Sequence, residues 1–138
     1  MKVLLAADGS KFTKRMLAYV AAHDEWLGHQ FTVLTVHPAL PARAAAALAK
    51  KIVQEHYAEE AEKVFGPIRA ALAKTGIEAE YVHKVGDPGE EIAALASKGK
   101  FDLVAMGSHG HGALARLVLG SVTSRVLAGC EVPLLIVR

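Results

Sequence analysis

An α/β fold, a parallel sheet with helices on both faces, is what this 138-residue sequence predicts, and three observations carry it. Apolar residues make up 52% of the chain but aromatics only 6%, so the core must come from Ala, Val, Leu and Ile, as in helices packed closely on a buried sheet. Short continuous apolar runs, the mark of strands buried on both faces, alternate with segments of helical period. Helix-length connections between such strands imply right-handed crossovers and hence parallel pairing. The length fits one domain, residues 1–138, because single cores commonly run to roughly 100–200 residues.

The first strand is "KVLLAA", Lys2 to Ala7, stopped by the turn signal "DGS". From Lys11 to Gly28, the residues Phe12, Met16, Leu17, Tyr19, Val20 and Leu27 recur at three- and four-residue steps, which predicts a helix with Gly28 as its stop. "QFTVLTVHP" is rich in β-branched residues and ends at Pro38, a second strand. Pro41 to Thr75 reads as the longest helix, with Leu48, Ile52, Tyr57, Ala61, Phe65, Ile68 and Leu72 on one face. Pro67 lacks an amide hydrogen and crowds the preceding turn, so a kink or break is expected near Gly66. "GIEAEYVHKVG" alternates with one face less apolar than the other strands, which suits an edge. "DPGEEIAALASKG" carries a full helix signature, with Asp87 as N-cap, Pro88 in the first turn, Glu90 and Glu91 behind it and Gly99 at the end. "FDLVAMG" is a fourth strand, "SVTSRVLAGC" a last helix and "PLLIVR" a fifth strand.

Composition narrows the function. The net charge of +2 is spread without a basic block, so the footprint of a nucleic-acid binder is missing. No apolar run approaches the roughly 20 residues that span a bilayer, and Asp8 interrupts the first run too early for a signal peptide, so a cytoplasmic protein without a membrane partner is expected. The lone Cys130 excludes an internal disulfide, and its flank "VLAGCEVPLL" reads as a small buried hydrophobe.

Ligands of open parallel sheets bind at the carboxyl ends of the strands, where neighbouring connections leave on opposite faces. Strands one and four end there in "ADGS" and "GSHGHG". The P-loop pattern is absent, and Gly107, Gly110 and Gly112 give the reverse of the dinucleotide GxGxxG spacing. What remains is Gly107, two residues, Gly110, nine residues, then Gly120-Ser121 opening a helix. Such glycines let a backbone approach a ligand closely, and free amides at a helix N-terminus favour phosphate. Ser121 can then bond a phosphate oxygen, Thr123 adds a hydroxyl, and Arg116 and Arg125 add charge. The same pattern also fits plain turn formers with Ser121 as an N-cap. His109 and His111 lack the helical i, i+4 spacing and a Cys cluster of a structural zinc site, although either imidazole can touch phosphate. Asp8 before Gly9 also fits an Asx-turn former.

Gly107, Gly110, Gly120 and Ser121 together resemble the signature of the universal stress protein family, Gly-two-Gly-nine-Gly-Ser/Thr, and the resemblance extends to "DGS", "MGSHG", "GSVTSRVL" and "VPLLIV". It implies an open, Rossmann-like five-stranded parallel sheet of order 3-2-1-4-5 in a homodimer paired through the C-terminal strand, with ATP between strands one and four. Mapped onto this chain, Gly107, Gly110, Gly120, Ser121 and Val122 hold the phosphates, while His109, Arg116 and Thr123, on their chemistry and nearness alone, are candidates for further phosphate contacts. Asp8 falls near the ribose or a phosphate-bound Mg²⁺, Val36 meets the adenine, and Ala7 and Met106 line the base and ribose. Ala7 stands where the family often has Pro. The resemblance singles out no catalytic base, so the expected function is an ATP-binding stress-response regulator whose nucleotide orders the loop from Ser108 to Leu119 toward a protein partner. Two alternatives remain: a slow ATPase or self-phosphorylating protein using Ser121, Thr123 or Ser124, and a dimeric interaction module without nucleotide.

Overall fold

Apolar runs in five segments pair into a single sheet in the computed structural model, which describes residues 1–26, 28–112 and 118–138. The strands are β1 (Lys2–Ala6), β2 (Gln30–His37), β3 (Ala79–Val85), β4 (Leu103–Gly107) and β5 (Leu134–Val137). All four pairings are parallel and the order is β3-β2-β1-β4-β5, as the family resemblance implies. Alternate residues of β1 face opposite cores. Val3 and Leu5 pack with Met16, Val20, Phe31, Val33, Phe65, Ile68 and Leu72, while Leu4 and Ala6 pack with Leu34, Ile92, Ala96, Val104, Met106 and Val126. The first core is roofed by α1 (Lys11–Ala21) and α3 (Lys50–Ala73), the second by α4 (Pro88–Lys98) and α5 (Ser121–Gly129). The helices therefore change face between β1 and β4, which opens a crevice at the carboxyl ends of those two strands.

Three boundaries differ from those the sequence predicts. α1 stops at Ala21 rather than Gly28, and a turn of 3₁₀ helix (Asp24–Trp26) folds the chain back so that Trp26 packs near Phe31. Tyr19 faces solvent, and Leu27 lies outside the described residues. The long helix breaks at Leu48 and Ala49, which take extended backbone between a short α2 (Ala42–Ala47) and α3. α3 then runs without a break through Pro67. Its buried residues Ala61, Val64, Phe65, Ile68 and Leu72 lie on both sides of the proline and hold both halves to the sheet. Pro67 and Lys63, whose carbonyl loses its partner, both sit on the exposed face, where water satisfies that carbonyl at little cost. The first turns of α3 bury nothing: Leu48 and Ile52 are 43% and 50% exposed, so the apolar face predicted for the whole segment is a core face only from Ala61 onward.

β3 and β5 are the two edges, and their side chains are half-buried or exposed, matching the edge reading of the third strand. Among the described residues no helix is long and apolar enough to cross a membrane.

Candidate functional site

Where β1 ends, the chain turns through Asp8 and Gly9 into α1, whose N-cap Ser10 accepts a hydrogen bond from the Thr13 amide. Gly9 has φ +79°, a conformation a side chain would strain, so Asp8-Gly9 is a turn as well as a rim. Asp8 Oδ1 accepts from the Ser10 amide at 2.9 Å and the Thr13 hydroxyl at 3.0 Å. Oδ2 accepts from the His111 amide at 3.3 Å, and the His111 ring Nε2 lies 2.7 Å from the Asp8 carbonyl oxygen. Burial pushes the Asp8 carboxyl up, but hydrogen bonds from the Ser10 side chain and amide and from Thr13, with the nearby His111 imidazole, hold it below its ordinary value. The carboxylate is therefore ionised and already tied to two loops. As a direct Mg²⁺ ligand it fits poorly, because three protein donors occupy its oxygens.

The glycines after β4 are required by space more than by freedom. A Cβ on Gly107 would lie 2.5 Å from Phe12 Cβ, one on Gly110 would lie 2.6 Å from Asp8 Oδ2, and one on Gly120 would lie 3.0 Å from His109 Cα. Only Gly112 of this segment has a left-handed φ, +67°. Their absent side chains let the segment lie directly on α1, on Asp8 and on itself. Ser108 sits buried at the hinge: its amide donates to the Val137 carbonyl, its carbonyl accepts from the Gly120 amide at 2.7 Å, and its hydroxyl meets His109 Nδ1 at 2.9 Å. The His109 ring packs on Phe12, with centroids 5.2 Å apart.

α5 starts at Ser121, so Gly120 and not Ser121 occupies the N-cap. Gly120 has no side chain with which to cap, and the first turn contains no acid. α1 and α4, by contrast, are capped by Ser10 and Asp87. The Thr123 hydroxyl is buried and donates to the Gly107 carbonyl at 2.9 Å, which locks α5 to β4. Arg125 turns away and pairs with Asp87 at the start of α4, not with the glycine segment.

These elements enclose a cavity of about 450 Å³. Ala7, Asp8, Val36, Met106, Gly107, His109, Gly110, Gly120, Ser121, Val122 and Thr123, the residues expected from the sequence and its resemblance, all line it. Arg116 lies outside the described residues. One end is apolar, the other is glycine, hydroxyl and imidazole, and Asp8 is the only acid among the described lining residues. Pro88 and Ile92 from α4, Leu34 from β2, and Ala6, Thr13 and Gly112 complete the wall and were not foreseen there, while His111, whose imidazole the sequence allowed to touch phosphate, also lines it. Leu34 and Ile92 fall within segments that the sequence marks only as a strand and a helix. The α4 start gave a helix signature with no hint that the crossover carries it over the crevice.

Comparison with known proteins places this geometry among relatives. The family model described as the universal stress protein family matches residues 1–138. A universal stress protein of Thermus aquaticus is 34% identical over 137 residues, which covers 99% of this chain and 97% of that one. The solved structure of MJ0577, a universal stress protein of Methanocaldococcus jannaschii, superimposes with TM-score 0.79 at 26% identity, covering 99% of this chain and 94% of that chain. Two universal stress protein structures of the same fold, each with TM-score 0.67, are described as complexes: one with cAMP, at 23% identity over 100% of this chain and 97% of that one, and one from Archaeoglobus fulgidus with dAMP, at 20% identity over 100% and 98%.

Proposed function

Because the chain belongs to the universal stress protein family, we propose that the cavity binds an adenine nucleotide, ATP above all, and that the protein is a nucleotide-dependent stress-response regulator. The observation that carries this reading is the start of α5, which opens on the cavity with no side-chain cap and no acid in its first turn. Amides there, with Gly110 beside them, suit the phosphates, while the apolar residues Leu34, Val36, Ile92 and Met106 suit a base. Charge-assisted hydrogen bonds of about 1.5–3 kcal/mol each bring a few such contacts to micromolar affinity, about −8 kcal/mol. Relatives of the same fold described with cAMP and dAMP support a nucleotide over other anions. Mg²⁺ in this reading travels on the phosphates, completed by water, since Asp8 is committed elsewhere. That commitment also favours binding over turnover, and the buried Thr123 hydroxyl is ill placed as a phosphate acceptor.

Regulation in this proposal is a shift in the population of the glycine segment, of which Ser108–Gly112 is described here and 113–117 lie outside the described residues. The site of action is the cytoplasm, and a second copy covers the β5 edge; sedimentation at the dimer mass checks that pairing, and monomer mass at cellular concentrations refutes it. The nucleotide reading is tested by calorimetric titration of MgATP into nucleotide-stripped protein. Saturation near one per chain is expected, falling at least tenfold in Gly120→Asp, whose carboxylate would fill the helix entrance and repel phosphate. Absence of heat at two temperatures overturns it.

A further inference from the structure

The contacts between Asp8 and His111 do more than decorate the cavity rim. They join two loops 103 residues apart in sequence, with the His111 amide on Asp8 Oδ2 at 3.3 Å and the His111 ring on the Asp8 carbonyl at 2.7 Å. Both ends of the same residue are gripped, carboxylate by backbone and backbone by ring. Gly110 makes the grip possible, because any Cβ there would sit 2.6 Å from Oδ2. Asp8 is itself immobilised from behind by Ser10 and Thr13 at the head of α1. The glycine segment is thus fastened to a rigid helix start by the amide and ring of His111, beside the packing of His109 on Phe12.

We propose that His111 is a positioning residue: by clasping Asp8 it sets the place of the Gly107–Gly112 segment, and so the spacing between that segment and the start of α5 across which phosphates are to bind. The affinity part of this inference rests on the nucleotide reading above; the clasp itself does not. A ring that donates through Nε2 to a carbonyl is spent on the protein, so His111 acts on a ligand through the loop and not by touching phosphate with that nitrogen. It follows that loss of Asp8 or His111 weakens nucleotide binding equally with and without Mg²⁺, since neither works through the metal.

The test begins with ligand-free protein. Amide hydrogen exchange at His111 and Gly112 is compared in the native chain, His111→Ala and His111→Gln; the position is exposed, so the fold itself is not at risk. His111→Ala is expected to speed exchange about tenfold, the scale of one lost hydrogen bond, and His111→Gln, whose amide can still donate to the Asp8 carbonyl, to recover most of the protection. Unchanged exchange in His111→Ala overturns the clasp. ATP titration in excess Mg²⁺ and in EDTA then reads the consequence: a matching several-fold loss of affinity in both is expected for His111→Ala, with recovery in His111→Gln. A loss of affinity without faster exchange overturns the proposal in favour of direct ligand contact. If native protein binds no ATP, the nucleotide reading fails while the exchange result still decides the clasp.

Discussion

At the scale of single residues, the glycines of the β4–α5 connection divide into two physical kinds. Gly107 has ordinary backbone but no room, with Phe12 on one side and the His109 carbonyl on the other. Gly112 has room but a left-handed φ of +67°. Gly107→Ala should therefore cost about 2–3 kcal/mol through overpacking and shift the loop, whereas Gly112→Ala should cost only about 1 kcal/mol, the price of a left-handed side chain; urea denaturation separates the two, and equal costs would refute the distinction. The sequence marked both as glycine positions, yet it could not say which was needed for space, because the crowding atoms belong to α1, some 95 residues earlier. It also placed Asp8 near a ligand or metal and allowed it an Asx turn, which the bond from the Ser10 amide forms, while its bond from the His111 amide depends on how two loops meet in space.

Among the secondary-structure elements, the strands and the edge status of β3 were legible because burial on both faces writes continuous apolar runs and β3 lacks one, whereas the wholly apolar β5 lies half-buried at the other edge. Helix α3 was misjudged in an instructive way. Pro67 is a strong local signal for a break, but packing of Val64, Phe65, Ile68 and Leu72 outweighs it, whereas the break at Leu48 and Ala49, among good helix formers, occurs where nothing packs. Local propensity thus yielded to burial in both directions. Since Pro67 is tolerated and not required, Pro67→Ala should restore the bond to the Lys63 carbonyl and raise stability by about 1–2 kcal/mol, less than the roughly 3 kcal/mol of a buried-helix proline because water already serves that carbonyl. A lower melting temperature in this variant would show that the ring contributes packing instead.

For the molecule as a whole, two groups on opposite sides of β2 shape the response to pH. Asp8 is held below its ordinary value of 3.8, so its contribution is present above that pH and is lost as the pH falls through the folded value. His83, on β3, is lowered from 6.5 by burial and then by His37, whose Nδ1 lies 3.2 Å from its Nε2. The unfolded chain therefore binds that proton first, and stability declines as pH drops below about 6.5. Urea midpoints measured from pH 7.5 to 5 should fall, and His83→Gln should flatten that part of the curve while leaving the acid limb below pH 4; an unchanged slope would rule out His83 as its source. Strand order came from the family resemblance and could not be read from any single segment, since it follows from which face each crossover takes, whereas the turn-rich ends of strands one and four already marked the crevice.

The break between α2 and α3 has a further use. No residue of α2 is buried, and the extended pair Leu48–Ala49 lies outside both cores and away from the cavity wall. A fluorophore, an affinity tag or a fresh pair of chain ends placed there would leave the sheet and the crevice undisturbed, so the molecule offers its own port for instrumenting the events at the crevice.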